Sequence, residues 1–359
     1  MANALSQISE AGVAVWLDDL SRERLKNHSL EKLIKEDSVV GVTTNPSIFS
    51  AAIGKSELYK ADIVKHKDKT VEEIITILTT DDVRNACDLF SQTFANTKSR
   101  DGRISIEVDP RFARDTKSSV SQGIQLWKLI DRPNLLIKVP ATTEGLPVIS
   151  QLISEGISVN VTLIFSVTRY RQVLDAFATG LEKRLSTGNS ISDIHSVASF
   201  FISRIDSEVD KQLPVDSELK GSIAIANAIM AYDAFLNFEK SQRWQNLVAR
   251  GGNIQRPLWA STGVKDPAYD PTRYVMSLVA RDTVNTMPEA TLDAVRQSGI
   301  YTGDTITQNI LNAKATLGKL ALIGIDLEKI TNFLESDGVS KFETAWLDLM
   351  NSIKTASGK

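Results

Sequence analysis

The chain of 359 residues contains one cysteine and three histidines, and this scarcity excludes several kinds of site. Cys87 alone cannot form a disulfide framework or a thiolate metal cluster within one chain. His28, His66 and His195 lie far apart in the sequence, and no motif with the short spacing of metal ligands is present. The sequence therefore predicts no metal site.

The chain also lacks long apolar runs and an excess of positive charge. No uninterrupted apolar stretch approaches the ~20 residues that cross a bilayer. The first residues, MANALSQISEAG, lack the basic start and the apolar segment of a secretory signal. A formal net charge of −3 and a pI near 5.8 give no basic surface for duplex nucleic acid. We therefore expect a cytoplasmic protein that binds neither nucleic acid nor membrane.

Short apolar runs rich in β-branched residues alternate with helical patterns along the chain. The strand candidates are residues 13–18, 39–46, 103–110, 134–142, 158–165, 195–203, 256–263 and 283–287. Eight strands that are each followed by helix predict a (β/α)₈ barrel. An open doubly wound sheet is the alternative, but it predicts a G-x-G-x-x-G turn after the first strand, and the sequence after Asp18 has none.

The pattern also predicts the extent of the domain and of the longer helices. Continuous helices are expected over residues 21–35, 70–98 and 217–248. No linker-like change in composition divides the chain, so we expect one barrel domain over residues 1–359. Residues 305–359 follow the last strand candidate and are expected to form a C-terminal helical extension.

Lys138 interrupts the apolar run NLLIKVPAT at residues 134–142, which has the composition of a buried parallel strand. An unpaired ammonium group in an apolar interior costs several kcal/mol, so a buried lysine is often neutral for part of the time. A neutral amine is a nucleophile that condenses with carbonyl carbons. Lys138 is therefore a candidate Schiff-base residue. The alternative is a lysine whose stem lies along the barrel while its ammonium group reaches water.

Other polar residues fall at the predicted carboxyl ends of strands, where barrel enzymes carry their catalytic groups. Asn160 and Thr162 are two residues apart and therefore face the same side of their strand. Any one of these residues alone is equally well explained as the point where a strand stops. The set comprises Asp18, Thr43 to Asn45, Glu107, Lys138, Asn160, Thr162, Ser199 and Ser261.

Four motifs resemble, in order and spacing, the signatures of the transaldolase family. They are TTNPS at residues 43–47, IEVD at 106–109, IKVPAT at 137–142 and NVTLIFS at 160–166. The resemblance extends from about residue 4 to residue 349. Its specific part is the Asn-Pro turn after the second strand combined with the lysine on the fourth, because other class I aldolase families carry their Schiff-base lysine on a later strand.

The resemblance implies a reaction in the non-oxidative pentose phosphate pathway. A dihydroxyacetone unit would pass from sedoheptulose 7-phosphate or fructose 6-phosphate to glyceraldehyde 3-phosphate or erythrose 4-phosphate. No cofactor is implied, and the partners are sugar phosphates. The oligomeric state is open, with a homodimer among the options.

The resemblance also implies catalytic roles. Lys138 would attack the ketone, and Glu107 would move the protons for forming and hydrolysing the imine, through a water and Thr162. Asp18 would take the hydroxyl proton that starts C–C cleavage. A partly buried environment raises the pKa of carboxyl groups toward neutrality, which suits both acid–base roles.

Six further residues are implied in substrate binding. Asn45, Asn160 and Ser199 would hydrogen-bond the hydroxyls of the three-carbon enamine. Arg204 would bind the phosphate together with Ser261, because arginine matches the geometry of phosphate oxygens. Many relatives continue this last site as Ser-Phe-Arg, whereas this chain has Ser261, Thr262 and Gly263. Lys265 is the nearest cation that could substitute, although a loop lysine is more often a solvated surface charge.

Two other functions compete with the transferase. A simple fructose 6-phosphate aldolase is one, but related enzymes of that kind lack the equivalent of Glu107, and Phe201 in place of tyrosine also fits the transferase. A catalytically silent barrel is the other, but it would have lost some of the catalytic residues. The C-terminal aromatic residues Phe342 and Trp346 either pack over the barrel mouth or belong to the ordinary core.

Overall fold

The computed structural model describes residues 3–358 and contains a closed barrel of eight parallel strands. Each strand pairs with the next one in sequence, and β8 pairs with β1. The predicted fold class, a (β/α)₈ barrel with additional C-terminal helices, is confirmed. The strands are β1 Val13–Leu17, β2 Val39–Val42, β3 Arg103–Glu107, β4 Leu135–Pro140, β5 Val159–Ile164, β6 Ser196–Phe201, β7 Arg256–Ala260 and β8 Thr283–Met287.

Helices surround the barrel. In chain order they are α1 Ala4–Glu10, α2 Arg22–Lys26, α3 Ser29–Glu36, α4 Pro46–Lys55, α5 Lys60–Lys65, α6 Val71–Leu89, α7 Ser91–Asn96, α8 Thr116–Ile130, α9 Gly145–Ser154, α10 Val167–Ser186, α11 Ser203–Val209, α12 Ile223–Glu239, α13 Gln242–Val248, α14 Arg273–Met276, α15 Glu289–Ser298, α16 Ile310–Leu322 and α17 Leu327–Ser357. Short 3₁₀ turns lie at Glu57–Tyr59, Pro110–Phe112 and Thr307–Asn309. No helix within residues 3–358 combines the length and apolar character that crossing a membrane requires.

Three helices expected to be continuous are interrupted. The segment 21–35 divides into α2 and α3 because His28 adopts a left-handed backbone with φ of 62°. The segment 70–98 divides into α6 and α7 at Phe90. Residues 217–222 form turns rather than helix, with φ of 64° at Gly221, and α12 begins only at Ile223; the segment 217–248 breaks again at Lys240, between α12 and α13. Helical periodicity registers neither the positive φ of His28 and Gly221 nor the breaks at Phe90 and Lys240, where φ stays negative.

The longest helix, α17, runs across the end of the barrel at which the strands finish. It packs against α4, α5, α6 and α11 and contacts β5. Gly338 allows this approach, because a Cβ there would lie 2.9 Å from Cδ2 of Leu163. The buried apolar residues of the barrel and of α17 form one cluster. On this continuity we propose that the chain is one barrel domain with residues 305–359 as its C-terminal helical extension.

Inside the barrel, Trp16 of β1 is fully buried and its indole lies over Gly41 of β2. A Cβ at Gly41 would lie 2.4 Å from Cε2 of this ring, far inside van der Waals contact. The close approach of β1 and β2 therefore depends on the missing side chain, and a larger residue would force the strands or the indole to move.

We predict that Gly41→Ala lowers the free energy of unfolding by about 1–3 kcal/mol, the usual cost of overpacking a core. Gly318→Ala is the matched control, because a Cβ added to Gly318 in α16 would have no atom within 4 Å. The control should be neutral or stabilising by up to about 1 kcal/mol, since alanine favours helix over glycine. Urea unfolding of both variants measures this, and equal stability of the two would contradict it.

Candidate active site

A cavity of about 170 Å³ opens at the carboxyl ends of the strands, and we call it the mouth cavity. Eight of the ten site residues predicted from the sequence line it: Asp18, Asn45, Lys138, Thr162, Ser199, Arg204, Ser261 and Lys265. The remaining two, Glu107 and Asn160, are buried beside these residues and do not line the cavity. The structure therefore brings all ten predicted residues into one region of the barrel.

Lys138 lies at the floor of the mouth cavity, with only 3% of its surface exposed. The strand register places it opposite Glu107 of β3 and Asn160 of β5. Its Nζ is 3.1 Å from Oε2 of Glu107 and donates to the carbonyl oxygen of Thr44 at 3.1 Å. The alternative in which the ammonium group reaches bulk water is therefore wrong. The ammonium is also not isolated, as the composition of the strand alone suggested, because a buried carboxylate pairs with it.

Glu107 ends β3, and its carboxylate has little contact with other hydrogen-bond donors. Burial raises its pKa above the usual range, while the positive charge of Lys138 opposes this shift. Apart from the ion pair with Lys138, neither carboxylate oxygen has a hydrogen-bond partner among residues 3–358. The hydroxyl of Thr162 on β5 is likewise buried and without a partner among the described residues. These polar groups are costly to leave unsatisfied, so their retention in a core is typical of a functional site.

Asp18 follows β1 and faces the same cavity. Its Oδ1 accepts a hydrogen bond of 2.6 Å from the hydroxyl of Thr43, which lies 2.7 Å from the hydroxyl of Thr286. Burial raises the pKa of Asp18, and the nearby charge of Lys138 and the Thr43 hydrogen bond partly offset this. Asp18 and Glu107 therefore both have raised pKa values, and both interact electrostatically with Lys138.

Asn160 and Ser199 belong to a hydrogen-bond chain across the barrel interior that joins β6, β5 and β3. The hydroxyl of Ser199 donates to Oδ1 of Asn160 at 2.8 Å, and Nδ2 of Asn160 donates to the hydroxyl of Ser105 at 2.9 Å. Asn160 is completely buried, so this chain fixes its amide orientation and presents the Ser199 hydroxyl toward the cavity.

The other side of the mouth cavity carries positive charge. The guanidinium of Arg204 lies 5.3 Å from the centre of the Phe201 ring, and its Nη1 has no hydrogen-bond partner among residues 3–358. Burial lowers the pKa of Arg204, although the charges of Asp337 and Asp18 counteract this. Lys265 lies exposed at the rim. The two cations form a region suited to an anionic group.

Several lining residues were not predicted. Thr286 is the last but one residue of β8, and the weak strand pattern there did not indicate that polar residues near the end of this strand belong to the site. Ser47 lies in the first turn of α4, where a hydroxyl gives no distinctive signal. Phe342 of α17 lines the cavity, with its ring centre 5.6 Å from Nζ of Lys138, and it also belongs to the buried apolar core, so both interpretations left open for it hold; Trp346 belongs to the same core.

The backbone is strained at one predicted residue, Ser261, and next to another, Thr162. Ser261 after β7 and Leu163 of β5 have φ values of 55° and 59°, which residues other than glycine rarely adopt. The register of β5 against β6 shifts between Val161 and Ile164, a stretch that contains Thr162 and Leu163. Ser261 is held there by Ser203, whose hydroxyl lies 3.0 Å from its own. Such strain is commonly found at functional sites, where surrounding packing maintains it.

The arrangement suits acid–base and nucleophilic chemistry on a carbonyl compound that carries an anionic group. It supplies a buried amine, two carboxyl groups, hydroxyl and amide groups and a cationic wall. No group of three His, Cys, Asp or Glu side chains within residues 3–358 is placed to hold a metal ion.

Comparisons with known proteins agree with this chemistry. The family model described as Transaldolase/Fructose-6-phosphate aldolase matches residues 15–353. A transaldolase from Mycobacterium bovis is 52% identical over 358 residues, covering 98% of this chain and 96% of its own. A transaldolase from Mycolicibacterium smegmatis is 53% identical over 355 residues, covering 97% and 96%.

A solved structure of Proline Utilization A from Corynebacterium freiburgense matches with a TM-score of 0.36 and 14% identity. This chain spans about a third, 32%, of that larger protein, and the match carries no argument about either fold or function. The family model and the relatives that match over nearly their full length show that the chain belongs to the transaldolase family of enzymes.

Proposed function

We propose that this enzyme transfers a dihydroxyacetone unit between ketose and aldose phosphates through a Schiff base on Lys138. The observation that carries the proposal is the buried Nζ of Lys138, 3.1 Å from the carboxylate of Glu107 at the floor of the mouth cavity. The proposed donors are sedoheptulose 7-phosphate and fructose 6-phosphate, and the acceptors are erythrose 4-phosphate and glyceraldehyde 3-phosphate. The proposed setting is the non-oxidative pentose phosphate pathway of the cytoplasm.

The ion pair supports the first step, imine formation. Glu107 has a raised pKa, so it can accept a proton from the ammonium of Lys138 and release the neutral amine. The amine attacks the ketone carbon, and the amine proton moves to the former ketone oxygen to give the carbinolamine. Glu107 returns its proton to this hydroxyl, which departs as water and leaves the protonated imine. The unpartnered hydroxyl of Thr162 supports a relay through a water molecule between Thr162 and Glu107.

Asp18 is proposed as the base for C–C cleavage. It takes the proton of the substrate hydroxyl next to the bond that breaks, and the bonding electrons move onto the imine to form an enamine. The aldose phosphate leaves, and a second aldose phosphate adds to the enamine in the reverse sequence. The raised pKa of Asp18 suits a group that must both accept and return this proton. Asn45, Asn160 and Ser199 are proposed to hold the hydroxyls of the enamine.

The cationic wall supports phosphate binding. Arg204 is proposed as the principal ligand because Nη1 is buried and has no partner among the described residues. Lys265 at the rim and the hydroxyl of Ser261 are proposed to complete the site.

Phe342 and α17 cover the floor on which the enamine would form, and exclusion of water there would favour transfer to an acceptor over hydrolysis. A homodimer is one proposed oligomeric state of the enzyme.

Replacing Lys138 should abolish turnover. Lys138→Arg keeps a cation opposite Glu107 but cannot supply a neutral amine, and Lys138→Met keeps the stem without the charge. We expect both to lose about 10³-fold or more of the transfer activity, as enzymes do when a covalent nucleophile is removed. In the unsubstituted enzyme, borohydride with fructose 6-phosphate should reduce the imine and leave a three-carbon or six-carbon adduct on the peptide that contains Lys138. Trapping at another lysine would exclude Lys138 from the covalent role.

Glu107→Gln should separate imine chemistry from C–C cleavage. Glutamine keeps the shape but cannot move a proton, so imine formation and hydrolysis should slow by about 10²–10⁴-fold, the usual contribution of a general acid–base group. Cleavage in the preformed imine should change far less, because Asp18 performs it. Rapid-quench experiments with borohydride trapping measure the first rate as total adduct formed, and the conversion of the six-carbon adduct into the three-carbon adduct measures the second. An equal loss in both steps would assign Glu107 another role.

The requirement for an acceptor distinguishes the transferase from a simple aldolase. The purified enzyme should release glyceraldehyde 3-phosphate from fructose 6-phosphate in many turnovers only when erythrose 4-phosphate is present. Without the acceptor we expect a single turnover at most, because the covered enamine is not hydrolysed. Continuous release at a similar rate without acceptor would make the enzyme an aldolase, and no release in either case would refute the proposed substrates.

A further inference from the structure

The barrel has a second, larger cavity at the end opposite to the mouth. Its volume is about 430 Å³, and we call it the basal cavity. It lies at the first residues of β3 and β7 and just before β6, where Arg103, Arg256 and His195 line it. The loop after α7 adds Lys98 and Arg100. Nothing in the proposed reaction uses this end of the barrel.

Arg103, which lines the basal cavity, and Glu107, which lies beside the mouth cavity, are on the same side of β3. Because side chains alternate along a strand, Arg103, Ser105 and Glu107 share one face. Arg103 is therefore displaced from Glu107 by four residues, or about 13 Å along the strand. One strand thus carries a predicted catalytic carboxylate at one end and a buried guanidinium at the other.

The positive charges of the basal cavity are only partly neutralised. Arg256 pairs with Asp101 at 2.7 Å, and Arg100 pairs with Asp282. Arg103 is 1% exposed and has no carboxylate within salt-bridge distance among the described residues; its Nε and Nη2 donate only to the carbonyl oxygen of Ser99. Its Nη1 has no hydrogen-bond partner within residues 3–358. The Phe94 ring, 5.2 Å from the guanidinium, and the nearby charge of Asp101, which is itself paired with Arg256, offset this buried charge only in part, which favours an additional anion.

The other lining residues strengthen this imbalance. Lys98 is exposed and makes no salt bridge among the described residues. Glu239, the one acidic residue among those that line the cavity in the described chain, is held by Arg281 at 2.7 Å. Burial and the charges of Arg103, Arg256 and Arg100 lower the pKa of His195 to about 3. His195 is therefore neutral at pH 7, and a negative charge that enters the cavity should raise its pKa.

We propose that the basal cavity binds a small organic phosphate. Arginine forks match phosphate oxygens, and Lys98 and the His195 imidazole add a charge and a hydrogen-bonding group. The apolar part of the wall, formed by Leu136, Val197, Trp244, Val248 and Ile254, suits a small organic body attached to the phosphate. The volume falls in the usual range of small-molecule sites, about 300–1,000 Å³, and exceeds what a lone phosphate ion fills.

His195 provides a local probe of binding, because the chain has only two other histidines, His28 and His66. Titration with inorganic phosphate or with glycerol 2-phosphate should shift the His195 ring resonances in NMR spectra saturably, without shifting the other two. The bound dianion should raise the pKa of His195 by about 1 to 3, the effect of an opposite charge within ~4–6 Å. Glycerol 2-phosphate should bind more tightly than inorganic phosphate, and equal affinities would overturn the assignment to an organic ligand.

Variants separate this site from the mouth cavity. Arg103→Met should weaken the His195 response about tenfold or more, as expected for loss of a charged hydrogen-bonding group. Lys98→Gln, an exposed change that does not endanger the fold, should weaken it about twofold to fivefold. Lys319→Gln on α16 is the matched control and should change nothing.

Arg204→Gln removes the buried mouth cation and should leave the His195 response intact. The proposal would be overturned if His195 failed to respond to either phosphate, if Lys98→Gln bound as tightly as the Lys319→Gln control, or if Arg204→Gln abolished the response. None of these measurements depends on transfer activity, so failure here and failure of the proposed reaction are distinguishable.

Discussion

The ion pair between Lys138 and Glu107 is the interaction on which the rest of the site depends. Both side chains are buried, and two buried charges are stable only when they lie close together with favourable geometry. The direct register of β3 against β4 supplies that geometry, and closure of the barrel fixes it. Burial raises the pKa of Glu107, and the proposed covalent chemistry at Lys138 needs such a carboxylate beside the lysine as the proton acceptor.

The surrounding structure keeps this pair shielded from water. Helix α17 crosses the mouth and places Phe342 over Lys138, and Gly338 permits the helix to approach Leu163. Leu163 itself adopts an unfavourable positive φ directly after Thr162. The strain in β5 is therefore located between the packing surface of α17 and a polar side chain of the mouth cavity. A helix outside the barrel repeat thus completes the site that the strands begin.

Much of the fold and of the site followed from the sequence because both depend on local patterns. Apolar runs marked all eight strands, and polar residues at their ends marked the mouth, where eight of the ten predicted residues line the cavity. The pairing of Lys138 with Glu107 did not follow, because partners across strands depend on register. The break at His28 and the role of Thr286 were also missed, since neither a reversed φ nor a threonine in a weak strand gives a distinctive signal.

The two ends of the barrel handle buried charge in opposite ways. At the mouth, the ammonium of Lys138 meets the carboxylate of Glu107 from the same chain, so the two buried charges balance each other. At the base, Arg103 donates to the carbonyl oxygen of Ser99 and lies 5.2 Å from the centre of the Phe94 ring, and the carboxylate of Asp101 is bound to Arg256. A guanidinium cannot release its proton as a lysine can, so its charge is not relieved by titration near neutral pH. In the proposed assignment the remaining counter-charge at this end comes from a bound organic phosphate, whereas at the mouth it comes from the chain itself.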